Sequence, residues 1–118
     1  MARPRTAPRG LEHPGPDEFS LQRLLEALVD PVRRAAVCQL AQAGRDMSCG
    51  AFDMPVSRST ATHHFSVLRE AGVIHQYYVG TMKMNGLRTA ELEARFPGLL
   101  QTLISAEDRE RSNCGRPG

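Results

Sequence analysis

The clearest hydrophobic pattern of the chain runs from Val56 to Ile74, where the sequence reads VSRSTATHHFSVLREAGVI. Ala61, Phe65 and Leu68 recur at steps of four and three, so a helix would place all three on one buried face. Ser57 is a good N-cap, since its hydroxyl can accept a hydrogen bond from an unpaired amide of the first turn. The pattern therefore predicts a helix that buries one face and exposes the other.

The exposed face of this predicted helix carries short hydroxyl side chains, a histidine and arginines. Ser and Thr near a helix N-terminus can approach bases or phosphates closely, and arginine adds charge and bidentate reach. The alternative is a solvated amphipathic helix, because Ser and Thr are common on exposed faces. The residues of this helix that we predict to contact DNA are Ser57, Arg58, Ser59, Thr60, Thr62, His63, Ser66 and Arg69.

A predicted β-hairpin follows this helix at once. Gly72 can end the helix, and the next segment, VIHQYYVGTMKMNGL, is rich in β-branched and aromatic residues. It predicts strands at Val73–Val79 and Thr81–Asn85, with Gly80 near the tip. A helix followed by such a hairpin is the order of elements in a winged helix-turn-helix. Two hairpin residues join the predicted phosphate-contacting set, with a solvated hairpin edge as the alternative: Thr81 and Lys83.

Helix-start signals predict two helices earlier in the chain. Ser20 can cap the first one. Asp30 and Pro31 open the second, with Asp as the N-cap and Pro at the first position, where its missing amide does no harm. Gly44 is expected to end this second helix.

Shorter helices are expected on either side of the helix and hairpin. The segment Met47–Met54 should form the brief helix before the turn, with Ser48 as its cap. After the hairpin, Thr89 can cap a short helix, and a last helix starts after Pro97.

Two leucine-rich stripes lie near opposite ends of this predicted domain. Together they are more apolar surface than one core of this size readily hides. We therefore expect a dimer whose interface is built from the first and last helices. The residues predicted for this interface are Leu21, Leu24, Leu25, Leu28, Leu99, Leu100, Leu103 and Ile104.

Three consecutive features resemble the ArsR/SmtB family of winged-helix repressors: DPVRRAAVCQLA at Asp30–Ala41, the VSRSTATHHFSVLREAGVI segment, and the hairpin. In that family, the phrase resembling STATHHF followed by LREAG belongs to the recognition helix. Phe65 stands where leucine is usual, which is an apolar exchange. The resemblance covers the chain from Phe19 to Ser105.

The resemblance implies a mainly α winged helix-turn-helix with a small β-hairpin, a homodimer, and double-stranded promoter DNA as the partner. A two-fold dimer would place two recognition helices roughly 34 Å apart, about one DNA turn, and therefore predicts an inverted-repeat operator. Repression by occupying a promoter is the expected mechanism, although activation would use the same contacts.

Metal sensing is common in this family, and the chain resembles a nickel-linked branch of it. The family's cysteine pair before the turn is matched only by Cys49, and no histidine follows His75, so neither family site carries over residue by residue. The remaining candidate ligands are His64, His75 and Cys49, although His64 is more typical of a packed histidine. Imidazole and carboxylate would suit Ni(II) or Zn(II). A nickel response delivered through a separate metal-sensing protein would also be consistent with this chain.

Composition sets the remaining expectations. A chain of 118 residues with 41% hydrophobic positions can form one modest core. The Arg- and Pro-rich residues 1–16 are expected to be a disordered arm, 17–106 the DNA-binding and dimerisation domain, and 107–118 a disordered tail. No apolar run is long enough to span a bilayer and no secretory signal is visible, so we expect a cytoplasmic protein.

Two other classes of function compete with DNA binding. A winged-helix domain that uses its leucine stripes on a heterologous protein is the main alternative. Replacing Arg58 or Thr62 by Ala would distinguish the two, because only a DNA-binding protein would lose operator affinity while still forming a dimer. An enzyme has little support, since the sequence contains no HExxH, Gly-rich phosphate loop or paired-cysteine motif.

Overall fold

The fold is mainly α with a small antiparallel sheet, as the sequence pattern predicts. The computed structural model describes residues 11–115, so the predicted arm with Arg3, Arg5 and Arg9 lies largely outside the described residues. In chain order, the elements are α1 Leu21–Leu28, α2 Pro31–Ala43, β1 Met47–Ser48, α3 Arg58–Glu70, β2 Ile74–Val79, β3 Met82–Leu87, α4 Thr89–Arg95 and α5 Leu99–Gly115.

Side-chain caps start the first two helices where the sequence predicts them. The Ser20 hydroxyl accepts a hydrogen bond from the Arg23 amide at 3.2 Å, and an Asp30 carboxylate oxygen accepts one from the Arg33 amide at 3.0 Å. Each bond satisfies one of the amides that a helix start leaves unpaired. Helix α2 ends at Gly44, whose φ of 67° is left-handed.

The sheet has the strand order β1-β3-β2 and is antiparallel throughout. Strands β2 and β3 form the predicted hairpin, here called the wing, with Val79 paired to Met82 next to the turn. The prediction of a short helix at Met47–Met54 with Ser48 as its cap is only partly confirmed. Met47 and Ser48 pair with β3 as a strand, and Cys49–Ala51 form one turn of 3-10 helix.

Two hydrogen bonds join α2 to the segment that follows the 3-10 turn. The Gln39 side-chain amide donates to the Asp53 carbonyl oxygen, and the Asp53 amide donates to the Gln39 side-chain oxygen, both at 2.9 Å. Phe52 then packs edge-on against Phe65 of α3, with ring centroids 5.0 Å apart. These contacts fix α3 relative to α2 and so complete the helix-turn-helix.

The core lies between α3, the sheet and the two leucine stripes. Leu68, Val73 and Ile74 are fully buried, as is Leu92 of α4. Complete burial of such a side chain stabilises the fold by about 1.5–3 kcal/mol. The face of α3 that contains Phe65 and Leu68 therefore packs the helix against the core, as the pattern predicts.

The leucine stripes divide into buried and exposed residues. Leu24, Leu28 and Leu100 are at most 5% exposed and belong to the core of a single chain, so they offer almost no area to a second copy. This corrects the predicted interface set. Leu21 and Leu25 are nearly half exposed, whereas Leu99, Leu103 and Ile104 pack partly against the core.

The segments predicted to be disordered at the two ends both extend too far into the folded domain. Residues 11–14, here called the N-terminal strap, pack on the domain, and Leu11 is 5% exposed. Composition missed this because the strap is held by side chains distant in sequence. Helix α5 continues past residue 106, where Glu107 is paired with Arg34 of α2 at 2.7 Å.

Helix α4 starts differently from the prediction. Arg88 is its N-cap and makes no side-chain capping bond, while Thr89 is the first helical residue. The Arg88 guanidinium instead bonds Glu91 at 2.6 Å and the Pro14 carbonyl oxygen at 2.8 Å. Among the described helices, none is both long enough and apolar enough to cross a membrane.

Candidate nucleic-acid interface

Helix α3 begins at a network of hydroxyl groups. The Ser57 hydroxyl accepts a hydrogen bond from the Thr60 amide at 3.2 Å and donates to the Thr60 hydroxyl at 3.0 Å. The first turn is therefore capped as predicted, and its remaining amides and positive dipole end face outward, an arrangement that attracts anions.

The first half of α3 presents a continuous polar surface. The Thr62 hydroxyl donates to the Arg58 carbonyl oxygen at 3.0 Å, which leaves its lone pairs facing outward. Ser66, one turn further along, is partly buried. The residues of the predicted set that are exposed are Ser57, Arg58, Ser59, Thr60, Thr62 and His63.

The wing lies across an open groove from this surface. The groove has a volume of about 680 Å³, and its polar lining includes Arg58 and Thr62 from α3 and Thr81 and Lys83 from the wing. The Lys83 ammonium lies 6.0 Å from the centre of the Tyr78 ring, an orientation that a cation–π attraction favours. The structure thus brings two sequence-distant parts of the predicted set together.

Arg69 does not join this surface. It lies on nearly the same side of the helix as Arg58, but it is about 16 Å further along the axis at 1.5 Å per residue. There its guanidinium donates to the Glu12 carbonyl oxygen at 3.2 Å and to the Gln76 side-chain oxygen at 2.6 Å. Its side chain is 13% exposed. Arg69 is a partly buried residue that bonds the strap and the sheet, which corrects its assignment to the DNA-contacting face.

A buried polar network continues from Arg69 into the sheet. The Gln76 side-chain amide donates to the Asn85 side-chain oxygen at 2.7 Å, and both residues are at most 1% exposed. The Asn85 amide in turn donates to the Met47 carbonyl oxygen at 3.2 Å. The network ties the end of α3 to all three strands. Sequence reasoning missed it because Gln76 and Asn85 occur within hairpin strands with no local sign of burial.

A second polar contact explains Arg33 and His64. The Arg33 guanidinium donates to the carbonyl oxygens of Ala27 and Glu26, which end α1, at 2.6 and 3.2 Å. The same group lies 3.1 Å from His64 Nδ1. His64 is 8% exposed, so it is the packed and hydrogen-bonded histidine that its position predicts.

The candidate metal ligands do not form a metal centre. His64 faces Arg33, His75 lies 3.8 Å from an Asp46 carboxylate oxygen, and the Cys49 thiol accepts from the Asn85 amide at 3.2 Å. Within residues 11–115, no group of three His, Cys, Asp or Glu side chains is close enough to hold one ion. These residues do not fit a Ni(II) or Zn(II) site within a single chain.

Comparisons with known proteins agree with this geometry. No protein-family model matches the chain. It is 32% identical over 89 residues to the uncharacterized HTH-type transcriptional regulator YceK of Bacillus subtilis (strain 168), an alignment that covers 74% of this chain and 89% of that protein. Its fold is similar to that of an ArsR-like transcriptional regulator from Rhodococcus sp. RHA1, with a TM-score of 0.56 and 22% identity over 83% of this chain and 94% of that one.

Proposed function

The chain belongs to the HTH-type transcriptional regulators and has the winged fold of an ArsR-like regulator, and on this premise we propose that it is a dimeric repressor that binds an inverted-repeat promoter site. The exposed start of α3 would enter the major groove, and the wing would contact the adjacent backbone.

The groove between α3 and the wing is the observation that supports this proposal most strongly. A helix start with exposed hydroxyl groups and Arg58 on one side faces Thr81 and Lys83 on the other. Arginine can bond two acceptors of a guanine edge in the major groove, while lysine and threonine suit phosphate oxygens. The arrangement therefore combines base contacts and backbone contacts on one continuous surface.

The exposed apolar residues of α1 support a two-fold dimer. Leu21, Leu25 and Val29 are 48%, 43% and 70% exposed. Leu25 and Val29 also line an open groove with Leu103 of α5, so the apolar surface continues from the first helix to the last. A second copy placed over this surface would cover it and present two α3 helices about one DNA turn, roughly 34 Å, apart. The two-fold symmetry of such a dimer is the basis for the inverted repeat, and the spacing sets the distance between its half-sites.

A metal response, including the nickel response implied by the resemblance, would need ligands beyond the described residues of one chain. A second copy or a separate metal-sensing protein would supply them. Adding Ni(II) or Zn(II) to the purified protein distinguishes these cases, because a shared dimer site responds to the metal alone.

The test is a titration of the purified protein with its own upstream DNA and with a scrambled duplex, repeated at several salt concentrations. Arg58→Ala should weaken binding to the upstream DNA five- to 150-fold, since one arginine contact to a base contributes about 1–3 kcal/mol. Arg109→Ala is the matched control, because Arg109 is an exposed arginine on α5, which packs on α2 and α4.

Sedimentation of both variants should give the mass of a dimer. Unchanged affinity of Arg58→Ala for DNA that the parent protein binds specifically would contradict the assigned recognition surface. Equal, weak binding of the parent protein to both duplexes, together with an intact dimer, would favour the protein-interaction alternative.

A further inference from the structure

We propose that the N-terminal strap, residues 11–14, is a proton-sensitive clamp that holds α3 to the edge of the sheet only while the His13 imidazole is neutral. The clamp is separate from the DNA-contacting surface. Any effect of the clamp on DNA binding rests on the proposed function. The docking of the strap on the sheet is independent of that function.

The clamp closes on an exposed edge of the sheet. Strand β2 is an outer strand, because the strand order is β1-β3-β2. On its outer edge, the Gln76 amide donates to His13 Nε2 at 2.9 Å. The histidine ring therefore takes the place that a neighbouring strand would occupy and satisfies an amide in the middle of β2.

This hydrogen bond requires one protonation state. A backbone amide can only donate, so His13 Nε2 must carry a free lone pair and the ring proton must be on Nδ1. A protonated imidazolium has two N–H donors and no acceptor. Protonation therefore removes the bond and points a donor at a donor.

Charges around His13 oppose its protonation as well. Arg69 of α3, Arg88 of the β3–α4 connection and His75 of β2 all face it, and Glu91 of α4, on the same pocket, is already paired with Arg88. Burial first, and then these three basic groups, lower the pKa of His13 from its usual 6.5. Because the docked pKa is lowered, docking is fully stabilised above pH 6.5 and is lost as the pH falls through the docked pKa.

The strap is connected directly to α3. Arg69 donates to the Glu12 carbonyl oxygen at 3.2 Å and to the Gln76 side chain at 2.6 Å, and Arg88 donates to the Pro14 carbonyl oxygen at 2.8 Å. Both arginines thus bond the strap on either side of His13. Release of the strap would remove a partner from Arg69, which fixes the end of the recognition helix against the sheet.

Amide hydrogen exchange of Gln76 in the full chain, followed by NMR from pH 7.5 to 5 and corrected for the intrinsic rate, tests the clamp. As the pH falls from 6.5 to the docked pKa, the protection of this amide should fall by about tenfold per pH unit, as expected for one linked proton. His13→Gln keeps an acceptor without a titrating group, so its protection should stay constant. The matched control, His63→Gln, replaces an exposed histidine, and in this measurement without DNA the protection of Gln76 should follow that of the parent chain.

Protection of the Gln76 amide that does not change with pH in the parent chain, or an equal loss of protection in His13→Gln, would overturn the proposal. The ring nitrogen shifts of His13 in the parent chain provide a second measurement that does not depend on how well glutamine fits. They should show the Nδ1–H tautomer and titration below pH 6.5, and an Nε2–H tautomer would also overturn it. Both measurements are made without DNA. The clamp proposal can therefore be refuted while the proposed DNA-binding function holds, and the DNA-binding function can be refuted while the clamp proposal holds.

Discussion

A single methyl group at Gly72 should destabilise the fold through two separable effects. Gly72 follows the end of α3 and has a φ of 86°. An added Cβ would also meet the ring of Phe19, lying 2.8 Å from its Cδ1 atom and closer still to Cε1. Phe19 is 4% exposed and is covered by the Arg88 guanidinium, 4.9 Å from its ring centre, so the ring has little room to move.

The expected loss follows from adding the two effects. A left-handed backbone costs a residue with a Cβ about 1–2 kcal/mol, and inserting a methyl group into a packed core costs about 1–3 kcal/mol. Gly72→Ala should therefore lower the free energy of unfolding by about 2–5 kcal/mol. Gly44→Ala is the matched control, since its φ is 67° and the added Cβ would meet no atom within 4 Å apart from its own local backbone. It should lose only the backbone part.

Urea unfolding at one fixed protein concentration measures both losses, and fixed concentration is needed because association adds to apparent stability. Phe19→Leu in the Gly72→Ala background should recover part of the packing loss, which a double-mutant cycle isolates. Equal losses for Gly72→Ala and Gly44→Ala, with no coupling to Phe19, would refute the close contact between the Phe19 ring and the end of α3.

Two further substitutions test the start of α3 and the extended part of α5. Ser57→Ala removes the N-cap and should lower the free energy of unfolding by about 0.5–2 kcal/mol in urea, whereas Ser105→Ala inside α5 should stay within about 0.5 kcal/mol. The hydrogen bond from Arg34 lowers the pKa of Glu107 from 4.5, so its contribution is present above that pH and lost as the pH falls through the folded pKa. The melting temperature of Glu107→Gln should lie below that of the parent at pH 6 and approach it near pH 3. Glu70→Gln, at a side chain that is 58% exposed, should differ little at either pH.

Local signals were sufficient to predict where most helices begin and which face of α3 is buried. Ser20, Asp30 and Ser57 each bond an amide three residues ahead, so the sequence around each cap contains the whole interaction. Strand β1 could not be predicted in this way. It has two residues, Met47 and Ser48, and it is a strand only because β3 pairs with it nearly 40 residues later.

The candidate site shows the same division between local and distant causes. Periodicity correctly placed Arg58 and Arg69 on the polar side of α3, but it could not show that Glu12, 57 residues earlier, covers one of them. The two ends of the helix therefore carry different functions on one face: the first half remains open to an external partner, and the last turn is bonded to the strap and the sheet. A change at Arg58 should consequently alter binding with little effect on stability, whereas a change at Arg69 should alter stability first, because it leaves Gln76 and the strap without their shared donor.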